Sequence, residues 1–127
     1  MSRPSKISTL DCLSFLYVCA MTHDDEITDS ESSVLVAKIL EWKPDDPDAA
    51  FLAVKTAVAW WTRSNEQGGF DAIAKEFAFC LVIVKGKFED KAKRAILGDL
   101  AAIFEADGKV TKGEQALYDL IRKELLS

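Results

Sequence analysis

Three observations predict an all-α fold for this chain. Apolar residues recur at three- and four-residue steps almost throughout. Short polar turns carrying helix-start chemistry interrupt them, twice as a Thr-x-x-Glu box. No segment alternates apolar and polar residues as a half-buried strand would. The expectation is a single compact helical domain over residues 1–127, of about six helices, with an internal pseudo-two-fold repeat. At 127 residues, one domain buries roughly two-thirds of its unfolded surface, which is enough for a real core.

Leu10, Leu13, Leu16, Tyr17 and Ala20 mark a first helix, from about Ser8 to Thr22. Thr28-Asp29-Ser30-Glu31 reads as a capping box for the second. That helix runs to about Trp42 and is expected to bury Val34, Leu35, Ile39 and Leu40. Lys43-Pro44-Asp45-Asp46-Pro47 stops it and starts a third, with Asp46 as N-cap and Pro47 at the first helical position. The third helix extends to about Arg63 and carries Phe51, Val54, Val58 and Trp61. Ser64 to Gly69 reads as a flexible loop, followed by a fourth helix from about Phe70 to Val84 that Gly86 is expected to cap. Within it, the run from Phe79 to Val84 would suit a strand, but its helical surroundings favour a buried helix. A fifth helix spans about Asp90 to Ala106. Its Gly98, with Ala101 and Ala102, is expected to allow close helix packing. Thr111-Lys112-Gly113-Glu114 repeats the capping box, and the last helix carries Leu117, Leu120, Ile121 and Leu125.

Composition narrows the function classes. With 49% hydrophobic and 29% charged residues, the chain is that of an ordinary soluble domain. A net charge of -5 argues against a nucleic-acid partner, for which a basic surface is expected. Charge is unevenly placed: Asp24 to Asp48 is acidic, and Lys85, Lys87, Lys91, Lys93 and Arg94 form a basic stretch. Both suit solvated faces, or a dipolar surface that docks a partner protein or, peripherally, an anionic membrane. Cys12, Cys19 and Cys80 form no CxxC pair and sit among apolar neighbours, so they read as core residues in a reducing compartment. The apolar run from Leu10 to Met21 is interrupted by Asp11 and Ser14 and is too short to span a bilayer. The expected location is cytoplasmic.

The paired turns are the chemically interesting feature. Asp24-Asp25-Glu26-Ile27-Thr28-Asp29-Ser30-Glu31 aligns with Asp107-Gly108-Lys109-Val110-Thr111-Lys112-Gly113-Glu114. Each sets an acid seven residues before a second acid, around a β-branched apolar anchor, with an apolar helical stretch on either side. On one reading every residue is structural: the Asp side chains bond turn amides, the Glu side chains close capping boxes, and each cap stabilises by about 0.5–2 kcal/mol. On the other, the carboxylates form a hard-cation site of the Ca or Mg class. An EF-hand is excluded, because the positions eleven residues after the first Asp are Leu35 and Tyr118 rather than Glu. His23 beside Asp24 would admit a transition metal, although a lone His at a turn is more often simply exposed.

With these turns placed at both ends of an all-helical pattern, the chain resembles the TerB-like domains of tellurite-resistance proteins. The resemblance rests on Ala106 to Glu114 with the preceding Leu100-Ala101-Ala102-Ile103-Phe104, and more weakly on His23 to Glu31. It implies an all-α domain with internal pseudo-symmetry, associated with tellurite and other chemical stress, that acts as a non-enzymatic interaction module. It also implies a divalent metal ion, held by Asp24 with Glu31 and by Asp107 with Glu114. Asp25 departs from the pattern, standing where the family prefers Gly. Two alternatives remain: a metal-dependent hydrolase using the same carboxylates, and a purely structural scaffold. Against the hydrolase, the sequence has no Gly-rich phosphate loop, and His23 lacks a recognisable Ser or Cys partner. Trp60 and Trp61 point about 100° apart on a helix, so one of them is expected to reach the surface as a binding hot spot, unless both are partly buried.

Overall fold

A computed structural model describes residues 6–21, 29–105 and 112–126. Every regular element in it is helical: α1 Thr9–Met21, α2 Asp29–Leu40, α3 Pro47–Lys87, α4 Asp90–Glu105 and α5 Lys112–Leu126. The described elements number five rather than the six expected, and the difference lies in α3.

α3 starts as its sequence dictates. The Asp46 carboxylate accepts from the Ala49 amide at 3.1 Å, and Pro47 occupies the first turn. The residues expected to form a loop, Ser64 to Gly69, are helical instead. Only Gly69 leaves helical geometry, at φ 60° and ψ -140°. That single residue folds α3 back on itself. Trp60 and Glu76 are 16 residues apart, about 24 Å along a straight helix, yet Trp60 Nε1 donates to Glu76 Oε1 at 3.2 Å. Trp60 also meets the Phe79 ring edge-on, at a centroid separation of 6.5 Å. The two arms, 47–68 and 70–87, therefore lie side by side. Gly69 supplies the positive φ that side-chain-bearing residues avoid. Gly68 supplies room, because a Cβ there would stand 2.8 Å from the Ala72 Cβ.

The core forms around α1, which is buried on nearly every side: Cys12 through Val18 are almost wholly enclosed. A helix apolar all round belongs at the centre of a bundle, and α1 packs chiefly against α3, with α2 and α4 also against it. Phe15 stacks at a tilt on Trp60, with centroids 4.4 Å apart. The buried hydroxyls of Ser14 and Ser64 donate to carbonyls one turn back, at 2.8 and 2.9 Å. α2 packs on α3, and α5 closes the bundle against α4 and α3. No described helix is long and apolar enough to cross a membrane.

Local departures have local causes. The start of α1 carries a Ser-x-x-Asp box: the Ser8 hydroxyl accepts from the Asp11 amide and Asp11 accepts from the Ser8 amide, both at 3.1 Å. Val34, expected in the core, is exposed, because Leu35 and Ile39 take the inward stripe of α2. Gly86 does not cap its helix. α3 runs on to Lys87, where the Phe88 amide donates to the Val84 carbonyl. Gly98 makes no close approach, since a Cβ placed there meets nothing within 4 Å.

Candidate functional site

The four residues the sequence marks as metal ligands stand apart from what the structure describes. Glu31 and Glu114 fall in the first turns of α2 and α5. Their side chains, like Asp24 and Asp107 as a whole, lie outside the described residues, as do His23 and the hydroxyl-bearing Thr28 and Thr111 of the two capping boxes. Among the described residues, no group of three or more His, Cys, Asp or Glu is placed to hold a metal ion.

The described residues instead build an open groove of about 1250 Å³. Its long wall is the second arm of α3. Phe70, Ile73, Ala74, Phe77, Ala78 and Leu81 line it, with Val82 and Lys85 continuing the stripe. Their spacing of three and four residues is that of one helix face. Leu117, Leu120 and Glu124 of α5 form the opposite wall. Trp61 and Asn65 from the first arm, with Cys19 of α1, complete the lining. The back-fold at Gly69 brings the two arms into this one site.

Two facts distinguish the groove from ordinary surface. The first is the exposure of its walls: Phe70 is 82% exposed, Val82 70% and Leu120 48%. Half of the six large exposed hydrophobics of the described residues thus line a single site. Isolated apolar surface residues need no explanation, but a contiguous set marks an interaction surface. The second is its charge. Lys85, near the end of α3, and Lys93, in the first turn of α4, lie at one end of the groove. Lys93 is almost buried, with its Nζ 3.8 Å from Asp90.

Trp60 and Trp61 are both buried, so neither projects as a surface hot spot. Trp61 still borders the groove from below. Cys19 keeps partial exposure there, yet burial pushes its thiol well above the ordinary range. Cys80 is pushed up further, by burial first and then by the Cys12 thiol beside it. None of Cys12, Cys19 and Cys80 is joined in a disulfide. Held protonated, Cys19 and Cys80 behave as core packing rather than as nucleophiles.

A polar knot lies elsewhere in the fold. The buried Tyr17 hydroxyl donates to Asp99 Oδ2 at 2.6 Å and accepts from Trp42 Nε1 at 3.2 Å. Trp42 Nε1 also lies 3.4 Å from Asp99 Oδ2, and Lys38 Nζ sits 3.9 Å from Asp99 Oδ1. Burial, then the hydrogen bond and charge of Asp99, push the Tyr17 hydroxyl far above the usual tyrosine range. It is a fixed donor that ties α1 to α4 and to the turn after α2.

Sequence reasoning missed the groove, although a signal for it was present. Phe77 to Val84 is eight consecutive apolar residues, more than one inward stripe can use. Compared with protein-family models, with curated proteins and with solved structures, the chain matches none.

Proposed function

We propose that this protein is a non-enzymatic helical interaction module that seats a partner protein in the groove between the second arm of α3 and α5. The observation that carries the reading is the clustering of exposed Phe70, Val82 and Leu120 around one open apolar cleft. Leaving these side chains in water forgoes burial worth roughly 25 cal/mol per Å² of apolar surface, which a partner recovers on docking.

The wider reading rests on the resemblance to TerB-like domains. It includes an internal pseudo-two-fold repeat, an association with chemical stress and tellurite, and a divalent ion held by Asp24 with Glu31 and by Asp107 with Glu114. Metal and groove are separable parts of the proposal. Calorimetric titration of metal-free protein with Ca²⁺, Mg²⁺, Mn²⁺ and Zn²⁺ tests the first part. Binding tighter than about millimolar, weakened by Asp107→Asn without loss of stability, supports it; no such binding removes it.

A photo-cross-linking residue at Val82, in cells, tests the groove. The expected result is a discrete adduct with one protein, lost when Leu120→Glu is added and not formed from the exposed position Glu41. Equal capture from both positions, or capture indifferent to Leu120→Glu, contradicts the reading.

A further inference from the structure

The dimensions and charge of the groove say more about what fills it. The lining of α3 extends from Phe70 to Gly86, about 24 Å at helical rise. An α-helix of that length and roughly 10–12 Å in diameter occupies on the order of 2,000–2,700 Å³. A cleft of about 1250 Å³ accepts roughly half of such a cylinder, which is its apolar face. Small-molecule pockets run to roughly 300–1,000 Å³ and enclose most of the ligand. This cleft is larger and open. Its α3 and α5 walls are two helical ridges, a shape that side chains at i, i+3, i+4 and i+7 of a third helix fill.

The charge is directional. The chain as a whole carries -5, yet residues 85–94, at one end of the groove, hold five cations against two acids. Lys85 and Lys93 line the groove, Lys93 with Asp90 beside it, and the exposed Lys87, Lys91 and Arg94 belong to the segment that joins or follows them. Glu124 is the one acid among the lining residues. A segment lying in this groove therefore gains from carboxylates at the Lys85–Lys93 end.

Resting on the partner-docking reading above, we propose that the groove binds an amphipathic α-helix of about four turns from a partner protein. Its apolar face packs over Trp61, Phe77 and Val82, and its acidic end lies toward the exposed Lys85 and the basic segment 85–94. The mode is helix-in-groove recognition, with affinity from the apolar anchors and orientation from the basic end.

The test is a displayed library of 16-residue helical peptides, selected on the full chain and counter-selected on Val82→Glu. Val82 is exposed, so that variant should keep the wild-type thermal melt, and Ala78→Arg serves as a second groove block. The expected winners carry apolar residues at i, i+3 or i+4 and i+7, with acids clustered at one end. They lose at least tenfold in affinity for Val82→Glu and for Lys85→Glu, and the same peptides with a basic end bind wild type at least tenfold more weakly. Winners without this pattern, or unaffected by both groove variants, overturn the proposal. So does an empty selection; where binding to vesicles of phosphatidylglycerol and phosphatidylcholine in equal parts accompanies it, the face is a membrane surface. The Val82 cross-link separates the two levels. A partner captured there through a segment that is not an acidic-ended amphipathic helix defeats this inference alone. Failure to capture any protein in a Leu120-dependent way defeats the docking reading beneath it.

Discussion

Replacing Tyr17 with Phe removes one oxygen from the centre of the fold, and its consequence can be worked out from the surrounding distances. The hydroxyl donates to an ionised partner at 2.6 Å, a class of bond that stabilises by about 1.5–3 kcal/mol. Asp99 is about one-fifth exposed, so water replaces part of what it loses. The Trp42 Nε1–H loses its nearer acceptor but keeps Asp99 Oδ2 at 3.4 Å. The expected destabilisation is about 1.5–2 kcal/mol, at the lower end of that range. Lys38 stays 3.9 Å from Asp99 and adds little on its own. Asp99→Ala should cost more, about 2–4 kcal/mol, because it strands the buried Tyr17 hydroxyl and removes an acceptor of Trp42. Urea unfolding of the two single variants and the double variant gives the coupling directly, expected at about 1–2 kcal/mol. A Tyr17→Phe variant within about 0.5 kcal/mol of wild type, with no coupling to Asp99, would refute the claim that this knot pins α1 to α4.

Other outcomes follow from the same packing. Gly69→Ala forces a side chain into a positive-φ, glycine-favoured conformation and should destabilise by about 1–3 kcal/mol in urea melts. Gly98→Ala should stabilise by about 0.5–1 kcal/mol, because the site is helical and open; a destabilised variant would show a close approach there after all. Asp46→Ala should lose about 1 kcal/mol of α3 capping. Stability should also depend on alkaline pH. Tyr17, Cys19 and Cys80 have folded-state pKa values raised above their unfolded values, so the folded state retains protons that the unfolded chain releases. Their contribution is complete below about pH 8. It falls as unfolded thiols ionise near pH 8.5 and the unfolded phenol near pH 10, by up to about 1.4 kcal/mol per pH unit for each group. Denaturation under reducing conditions from pH 7 to 10.5 should trace that decline, and a flat profile would contradict it.

Much of the local structure was legible because its causes are local. Asp46-Pro47 starts α3 through contacts within one turn, and the three- and four-residue apolar period marked the helices outside Ser64 to Gly68. Long-range features were not legible. Tyr17 and Asp99 lie 82 positions apart, and no window of sequence relates them. Burial of α1 on all sides depends on what surrounds it, so its apolar pattern looked like one face among others. Ser64 to Gly68 looked like a loop because it is polar. Polar residues also suit an exposed helix, and the one obligatory break is Gly69, whose φ the sequence hints at only through its identity. The groove had a readable trace, since an apolar run from Phe77 to Val84 exceeds what one core stripe needs. Val82 is the residue that shows which excess face stays open.

The most direct test is side-chain footprinting by hydroxyl radicals, with and without the captured partner. Phe70, Val82 and Leu120 border the groove, while Val34, Phe51 and Leu52 are exposed elsewhere. Docking in the groove predicts that labelling of the first three falls sharply when partner binds, while the other three are labelled as before. Protection of Val34, Phe51 and Leu52, with Phe70, Val82 and Leu120 still labelled, would contradict it.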